Sequence, residues 1–297
     1  MTDPKMMDQI KNGNGFIAAL DQSGGSTPGA LKGYGIGPDA YSGDEEMYAR
    51  IHDMRSRIIT SPSFSGDKVV GAILFERTMD GQADGKPVPQ ALWDRGVVPF
   101  LKVDKGLEDE ADGVRLMKPM PDLDALLERG VKAGVFGTKM RSVIDRASPT
   151  GIAAIVRQQF EVAEQIAAQG LVPIIEPEVS ISIPDRAEAE AILLAELTKA
   201  LDKLPEGREV MLKLTIPAEA NLYAPLTKHP RVARVVALSG GFSRQDACTK
   251  LAQNEGVIAS FSRALLSDLR ADQSDEEFDL VLGKAIDEIY QASTVKS

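Results

Sequence analysis

One lysine in this chain stands where a charged side chain is costly. Lys213 lies within the apolar run 210–217 (VMLKLTIP), which has the length and composition of a buried β-strand. A buried cation must be paired, hydrated or neutralised, and burial favours the neutral amine. A neutral amine can attack a carbonyl carbon to form a Schiff base. The alternative is a strand-end lysine that extends to water, and Lys213 by itself does not separate the two.

Other charged residues lie at the ends of further apolar runs, several of them two residues apart. Side chains at positions i and i+2 share one face of a strand. The charged positions of this kind are Asp21, Lys102, Asp104, Lys139, Arg141, Glu176 and Glu178. Charges of both signs that converge from several strands are hard to explain as a solvated face, so this pattern favours a functional site.

These residues need a frame that brings separated segments together. Eight short apolar runs bounded by polar turns predict strands at 16–21, 69–76, 98–104, 135–141, 171–178, 210–216, 233–239 and 257–263. Helical patterns fall between most of them, at 47–60, 123–133, 148–169, 185–204, 243–254 and 274–292. Strands that alternate with helices predict an α/β fold with a parallel sheet.

Eight is the number of strands that closes a (β/α)8 TIM barrel, and 297 residues is a typical length for that fold. We therefore expect a single (β/α)8 barrel domain over residues 1–297, with a short N-terminal extension and a C-terminal helix. The alternative is an open doubly wound sheet. That fold normally has a glycine-rich turn after its first strand, and the stretch 21–26 lacks the GxGxxG spacing.

In a closed barrel, one face of each strand points inward and the other meets the helices. Large apolar residues such as Leu101, Ile175 and Leu212 suit the helix-facing side. The charged residues at alternate positions then point into the barrel, near the carboxyl ends of the strands, where active sites of this fold lie.

The loops after strands seven and eight are the usual phosphate site of this barrel. Ser239, Gly240 and Gly241 end the seventh predicted strand, and Arg263 ends the eighth. Two glycines let the backbone approach a ligand, and the planar guanidinium suits a phosphate. The sequence therefore predicts an anion-binding site at this position.

Composition narrows the classes of partner. The net charge of −10 and the absence of a basic run argue against nucleic acid. No apolar stretch approaches the roughly 20 residues of a membrane span. Segment 1–15 has no apolar signal region, and the single cysteine, Cys248, suggests a packed thiol in a reducing cytoplasm. The only histidines, His52 and His229, cannot build a three-histidine zinc site, so we expect no metal. A homo-oligomer is possible.

Several segments together resemble class I fructose-bisphosphate aldolase in its shorter bacterial form, from about residue 16 to residue 265. The segments that carry the resemblance are ALDQSGGS at 19–26, LFERTMDGQADGKPVPQAL at 74–92, FLKVDKG at 100–106, FGTKMR at 136–141, VPIIEPE at 172–178, MLKLTIP at 211–217, ALSGG at 237–241 and FSRAL at 261–265. The resemblance implies reversible cleavage of fructose 1,6-bisphosphate through a lysine Schiff base, with no metal or other cofactor. Its implied partner is a small-molecule sugar phosphate.

The same resemblance implies a role for each catalytic residue. Lys213 is the Schiff-base lysine, and Glu176 is the carboxylate that moves protons while the imine forms. Glu178 supports it. Asp21 is the acid/base at the hydroxyl deprotonated in cleavage of the C3–C4 bond. Lys139 is the neighbouring cation that keeps the amine neutral and orients the substrate.

The resemblance also implies two phosphate sites. It assigns the phosphate nearer the Schiff-base lysine to Ser239, Gly240, Gly241 and Arg263. It assigns the sugar and the phosphate farther from that lysine to Lys102, Arg141, Ser23 and Ser26. Two segments depart from the better-known members of the family. Gln22 stands where an acidic residue is common, and Pro28, Gly29 and Ala30 replace the basic residue expected shortly after Ser26, with Lys32 the nearest candidate.

Two alternatives stay open at this point. One is another Schiff-base sugar-phosphate aldolase or a transaldolase, which would keep Lys213 but change the substrate. The other is a barrel that has lost catalysis and acts as a scaffold. A scaffold has no need of Asp21, Lys139, Glu176 and Lys213 together, so the sequence disfavours it.

Overall fold

Eight parallel strands dominate the computed structural model, which describes residues 3–297. They are β1 Phe16–Leu20, β2 Val69–Leu74, β3 Val98–Lys102, β4 Gly137–Ile144, β5 Val172–Val179, β6 Val210–Thr215, β7 Val232–Leu238 and β8 Val257–Ala259. Each strand pairs in parallel with the next one along the chain. The Ala19 N–H of β1 donates to the carbonyl of Phe261, just after β8, at 3.0 Å. The strands thus form a nearly closed barrel, and the predicted TIM-barrel fold is confirmed.

Helices connect the strands and cover the outside of the barrel. They are α1 Pro4–Asn12, α2 Thr27–Gly33, α3 Gly43–Thr60, α4 Glu76–Met79, α5 Val88–Trp93, α6 Leu123–Lys132, α7 Pro149–Ala168, α8 Arg186–Asp202, α9 Ala224–Thr227, α10 Arg244–Ala252, α11 Arg263–Leu266 and α12 Asp275–Thr294. Helix α12 begins with a capping box between Ser274 and Glu277. A two-residue strand, Val114–Arg115, pairs antiparallel with the outer end of β4. Among residues 3–297, no helix has both the length and the apolar character needed to cross a membrane.

Two of the predicted strands have wrong bounds. Strand β8 ends at Ala259, and Arg263 is the first residue of α11 because the chain turns at Ser262 into the helical run Arg263–Leu266. Strand β4 begins at Gly137 and continues to Ile144, because its outer end gains a partner in Val114–Arg115. Both differences come from pairing and turning between distant segments, which apolar runs do not encode.

The apolar core has two layers, separated by the strands. The outer layer lies between sheet and helices and includes Leu101, Ile175 and Leu212, as the alternation predicts. The inner layer fills the lower half of the barrel with the alternate residues, among them Ile17, Val70, Phe100, Phe136, Ile174, Met211 and Val236.

Helix α1 closes the amino-terminal end of the barrel. Its Met6 and Ile10 join the inner layer. Gln9 donates from Nε2 to the carbonyls of Gly66 and Gly96, which precede β2 and β3, at 3.0 and 3.2 Å. The carboxyl end of the barrel is therefore the open end.

Candidate active site

A cavity of about 1150 Å³ opens at the carboxyl ends of the strands. The charged residues that line it are Asp21, Glu76, Lys102, Asp104, Lys105, Lys139, Arg141, Glu176, Glu178, Lys213 and Arg263. Every site residue predicted from the sequence lines this cavity except Gly241. A Cβ at Gly241 would lie 3.7 Å from Nη2 of Arg263, so that glycine stands directly beside the cavity wall.

Lys213 lies near the carboxyl end of β6, with its side chain inside the barrel. The residue is only 4% exposed, and its Nζ lies 3.1 Å from Oε1 of Glu176 on the neighbouring strand β5. Leu212 and Leu214 point to the opposite side and pack in the outer core. The lysine is thus buried and paired; it does not extend to water.

Lys139 of β4 joins two carboxylates. Its Nζ lies 2.7 Å from Oδ2 of Asp21 and 2.9 Å from Oε2 of Glu176. One carboxylate oxygen of Glu176 therefore contacts Lys139, and the other contacts Lys213. The four side chains form a row, Lys213–Glu176–Lys139–Asp21, in which Glu176 lies between the two lysines.

Contacts within this row set the charges of Asp21, Glu176 and Lys139. Burial raises the pKa of the Asp21 carboxyl, but the ammonium groups of Lys139 and Lys213 outweigh burial and hold that pKa well below its usual range. The same balance lowers the pKa of Glu176. Burial lowers the pKa of Lys139, but the carboxylates of Asp21 and Glu176 raise it well above its ordinary value. At neutral pH the site thus holds two carboxylates and a protonated Lys139.

Side chains outside the cavity hold β5 and β6 in register around the row. The two strands pair directly only at Ile174 and Ile175. Above that point, Thr215 Oγ1 of β6 accepts from the Val179 N–H at 2.9 Å and donates to the Val179 carbonyl at 2.8 Å. Gln159 of α7 accepts from the Glu176 N–H at 2.9 Å. The Thr215 hydroxyl therefore links β5 to β6 beyond Glu176 and Lys213, and Gln159 ties Glu176 to α7.

One wall of the cavity is formed by Ser239, Gly240, Ser260 and Arg263, and we name these residues together with the adjacent Gly241 the glycine end. Gly240 and Gly241 have φ angles of +60° and +112°, and a Cβ on Gly240 would come within 2.8 Å of Ile181 Cγ2. Both the backbone and the available space therefore require glycine at position 240.

Donor groups at the glycine end are unused. Ser260 Oγ is buried and has no hydrogen-bond partner in the described part of the chain. Arg263 is exposed and forms no ion pair or side-chain hydrogen bond within residues 3–297. A phosphate at this wall would supply acceptors for both side chains.

A second group of lining residues, which we name the lysine end, consists of Ser23, Ser26, Lys102, Lys105 and Arg141. Lys102 Nζ donates to Ser23 Oγ at 2.8 Å and lies 3.1 Å from Oδ1 of Asp104. Ser26 Oγ donates to the Ser23 carbonyl at 2.9 Å and accepts from its N–H at 3.0 Å. The Ser26 hydroxyl therefore holds the turn that presents Ser23.

The remaining cations of the lysine end are also paired. Arg141 Nη1 lies 2.9 Å from Oε2 of Glu178, and Lys105 Nζ lies 3.0 Å from Oε2 of Glu76. The site prediction did not include Lys105 or Glu76. Lys105 follows Asp104 immediately in the sequence, and that proximity to a charged strand end was the available signal.

Arg55, whose guanidinium is buried behind the Asp21 loop, was not among the predicted site residues. Arg55 is 1% exposed, and it donates from Nη1 to Thr78 Oγ1 at 2.8 Å and from Nη2 to the Gln22 carbonyl at 2.5 Å. Burial lowers the pKa of Arg55 to about 10. Its signal in the sequence was an arginine on the apolar stripe of the predicted helix 47–60, four residues after the buried Ile51.

The contacts of Arg55 also explain Gln22. The Gln22 side chain accepts from Arg55 Nη2 at Oε1 (3.2 Å) and donates from Nε2 to Ser262 Oγ (2.5 Å). An amide can do both, whereas an ionised carboxylate only accepts. Gln22 thus links the loop after β1 to the segment after β8. Within residues 3–297, no group of three or more histidine, cysteine, aspartate or glutamate side chains is arranged to hold a metal ion.

Comparison with known proteins gives a consistent result. Among solved structures, the fructose-bisphosphate aldolase of Plasmodium falciparum, crystallised with TRAP and a small-molecule inhibitor, has a TM-score of 0.78 at 22% identity. The match covers 98% of this chain and 94% of that one. Cgl0159 from Corynebacterium glutamicum has a TM-score of 0.58 at 16% identity, with 97% and 92% of the two chains covered. At these identities the structural similarity supports the fold alone.

The family itself follows from the sequence match. A sequence model of glycolytic class I fructose-bisphosphate aldolases matches residues 7–216, which include β1 to β6 and the four residues of the charged row. That range is well over half of the 297 residues. This chain therefore belongs to the class I fructose-bisphosphate aldolase family.

Proposed function

We propose that this protein cleaves fructose 1,6-bisphosphate reversibly to dihydroxyacetone phosphate and glyceraldehyde 3-phosphate through a Schiff base on Lys213, in cytoplasmic glycolysis or gluconeogenesis. The observation that carries the proposal is the contact of Lys213 Nζ with Glu176 Oε1, at 3.1 Å, inside the barrel. A buried amine that touches a carboxylate has both the nucleophile and the proton acceptor that imine formation requires.

Imine formation begins when Lys213 passes a proton to Glu176 and the resulting free amine attacks the C2 carbonyl of the open-chain ketose. A carbinolamine forms, and its hydroxyl must leave as water. Glu176 is in contact with Nζ, so it is the group that takes a proton from nitrogen and returns one to the leaving hydroxyl. Glu178, two residues further along β5, anchors Arg141 at 2.9 Å and so keeps a second cation near the substrate.

Cleavage uses the protonated imine as an electron sink. Asp21 accepts the proton of the C4 hydroxyl, the C3–C4 bond breaks, and its electron pair moves to the iminium to leave an enamine. Glyceraldehyde 3-phosphate departs. Asp21 suits this role because its carboxyl is ionised at neutral pH and is held by Lys139 at 2.7 Å.

The cycle closes when the enamine is protonated at C3 and water hydrolyses the resulting imine. This step releases dihydroxyacetone phosphate and restores the amine of Lys213. The glycine end binds the phosphate on C1, and the lysine end faces the rest of the sugar and the phosphate on C6. Lys139 stays protonated throughout and orients the sugar hydroxyls, since its pKa lies well above its ordinary value.

Borohydride trapping tests this proposal. Reduction in the presence of dihydroxyacetone phosphate should give a covalent adduct on a peptide that contains Lys213, found by mass spectrometry. Lys213→Met should form no adduct and should lose cleavage while it still binds substrate. Near wild-type turnover in Lys213→Met would refute the assignment. Activity that EDTA abolishes, together with no adduct, would also refute it.

A substrate panel separates this reaction from its nearest relatives. A transaldolase transfers the three-carbon unit to an aldose acceptor, whereas an aldolase releases it as a free product after hydrolysis of the imine. Release of dihydroxyacetone phosphate from fructose 1,6-bisphosphate without an added acceptor supports the aldolase. Turnover of tagatose 1,6-bisphosphate at a higher kcat/KM would assign the chain to another sugar phosphate.

A further inference from the structure

The backbone of Glu176 is held by a side chain from outside the barrel. Strand β5 pairs directly with β6 at Ile174 and Ile175. The next residue, Glu176, donates its N–H to Oε1 of Gln159 on α7, at 2.9 Å. Pro177 follows, and a proline restricts the backbone of the residue before it to the extended region. The backbone of Glu176 is thus fixed by a glutamine amide on one side and by a proline on the other.

Gln159 uses both ends of its amide in a fully buried setting. Its Nε2 donates to Ser142 Oγ on β4 at 3.0 Å, and both residues are 0% exposed. A backbone N–H can only donate, so the amide oxygen must face Glu176 and the NH₂ group must face Ser142. The amide therefore ties α7 to β4 and β5, the two strands that carry Lys139 and Glu176. An apolar side chain of the same size could make neither hydrogen bond.

The carboxylate that Gln159 holds in this way has a demanding geometry. Glu176 reaches two ammonium groups at once, the Nζ atoms of Lys213 at 3.1 Å and of Lys139 at 2.9 Å. A rotation of the Glu176 backbone would lengthen at least one of these contacts. Displacing a reacting group by about 1 Å can cost about 100-fold in rate. Gln159 itself lies outside the cavity wall, so any effect on the reaction must pass through Glu176.

We infer that Gln159 is a positioning residue that sets Glu176 against Lys213 for proton transfer. The inference rests on the proposed function, because it concerns the proton acceptor of the same Schiff-base step. Gln159 acts through the backbone of Glu176 and touches neither the substrate nor the reacting atoms. Its loss should therefore slow formation of the imine and leave binding of the substrate, which depends on the residues of the cavity wall, nearly unchanged.

Gln159→Met tests the inference, because it removes both hydrogen bonds and keeps a side chain of similar length. We expect kcat for fructose 1,6-bisphosphate to fall by about 10- to 100-fold and KM to stay within about threefold. The rate of borohydride-trapped adduct formation with dihydroxyacetone phosphate should fall with kcat. If Gln159→Met does not fold, Gln159→Asn, which withdraws the amide by one methylene, takes its place. A kcat within about threefold of wild type in a folded variant would overturn the inference.

The matched control is the neighbouring glutamine on the same helix. Gln158 also uses both ends of its amide: Oε1 accepts from the Met117 N–H and Nε2 donates to the Met117 carbonyl, each at 2.9 Å. Neither Gln158 nor Met117 lines the cavity. Gln158→Met should therefore lower the urea midpoint but leave kcat within about twofold of wild type. An equal fall of kcat in Gln158→Met and Gln159→Met would trace the loss to the anchoring of α7 and overturn the inference.

A double-mutant cycle separates positioning from a general structural role. In the Glu176→Gln background the carboxylate is gone, so adding Gln159→Met should lower kcat by less than about threefold, since residues that act through one group are not additive. A further fall as large as that in the wild-type background would overturn the inference.

The proposed function fails by a separate result. A wild-type protein that neither forms a borohydride adduct with dihydroxyacetone phosphate nor cleaves fructose 1,6-bisphosphate would refute the Schiff base on Lys213, and the role of Gln159 with it. A wild-type protein that does both, with kcat unchanged in a folded Gln159→Met, would refute the role of Gln159 alone.

Discussion

The lower and upper halves of the barrel interior are built by the same strands but have opposite chemistry. On β6, Met211 lies in the apolar inner layer, and two residues later Lys213 lies in the charged row. On β5 the same step leads from Ile174 to Glu176. Gly137, which leaves room for the Phe100 ring, precedes Lys139 by two residues on β4. Two residues along each strand therefore separate the apolar inner layer, which we call the floor of the barrel, from the charged row above it.

This contrast shows how the fold keeps a cluster of charges in place. The apolar floor, closed from below by α1, fixes the strand positions and excludes water from beneath the row. Charges in such a setting interact strongly with one another, so each pKa depends on its neighbours. Removing a charge should therefore change the chemistry, and removing a floor residue should change the stability.

Among variants that keep Lys213, the largest expected effect on chemistry comes from Glu176→Gln. This change removes the acceptor at 3.1 Å from Lys213 while it keeps the shape of the side chain. Loss of a general acid–base group typically lowers kcat by about 10²- to 10⁴-fold. Steady-state kinetics of cleavage measures it, with single-turnover borohydride trapping to show that imine formation is the slowed step. A kcat within tenfold of wild type would exclude Glu176 from proton transfer.

The stability of the floor can be set against that of the row. Phe100→Ala removes a fully buried ring that packs edge-on against Phe136 at 5.5 Å, and should lower the free energy of unfolding by about 3–5 kcal/mol. Lys213→Met should change it by less than about 2 kcal/mol, because Glu176 keeps Lys139 as a partner. Urea unfolding measures both. A larger loss in Lys213→Met would mean that the row stabilises the barrel more than its floor does.

The pH dependence of activity tests the role of Lys139. Asp21 and Glu176 have lowered pKa values, so their ionised forms stabilise the fold above about pH 4, and this stabilisation is lost as the pH falls through the lowered pKa values. In Lys139→Met, the effect of burial would dominate and raise the pKa values of Asp21 and Glu176. The acid limb of kcat/KM should then move up by about one to three pH units.

Lys105→Met is the control for that experiment. Lys105 is an exposed lysine of the cavity rim, paired with Glu76 outside the row. Its loss should leave the acid limb in place. An acid limb that moves equally in both variants would show that overall charge, rather than the contact with Lys139, sets it.

Period-two alternation was enough to bring the charged row together from sequence. Asp21, Lys139, Glu176 and Lys213 occupy inward positions near the ends of parallel strands, and barrel closure fixes which way those positions face. The pairing within the row was not predictable. It depends on rotamers and on the stagger between strands, which place Glu176 between two lysines where the sequence suggested adjacent cations.

Contacts between distant segments account for the other differences. Arg263 was predicted on a strand, but the chain turns after Ala259 and places it on α11, still facing the cavity. Arg55 was overlooked because a lone arginine on a helix normally extends to solvent. Its burial depends on Gln22 and Thr78, which lie 33 and 23 residues away in sequence. A local pattern cannot report such partners.

The smallest effect concerns two hydroxyls that differ only in their position. Ser260 Oγ and Thr138 Oγ1 are both buried without a partner in residues 3–297, but only Ser260 lines the cavity. If the Ser260 hydroxyl serves the phosphate on C1, Ser260→Ala should raise KM about 3- to 10-fold, the value of one hydrogen bond, with kcat little changed. Thr138→Val removes an equally orphaned hydroxyl outside the cavity and should leave KM unchanged while stability stays equal or rises. Equal KM values in Ser260→Ala and wild type would show that the unpartnered hydroxyl of Ser260, inside the cavity, has no more function than that of Thr138 outside it.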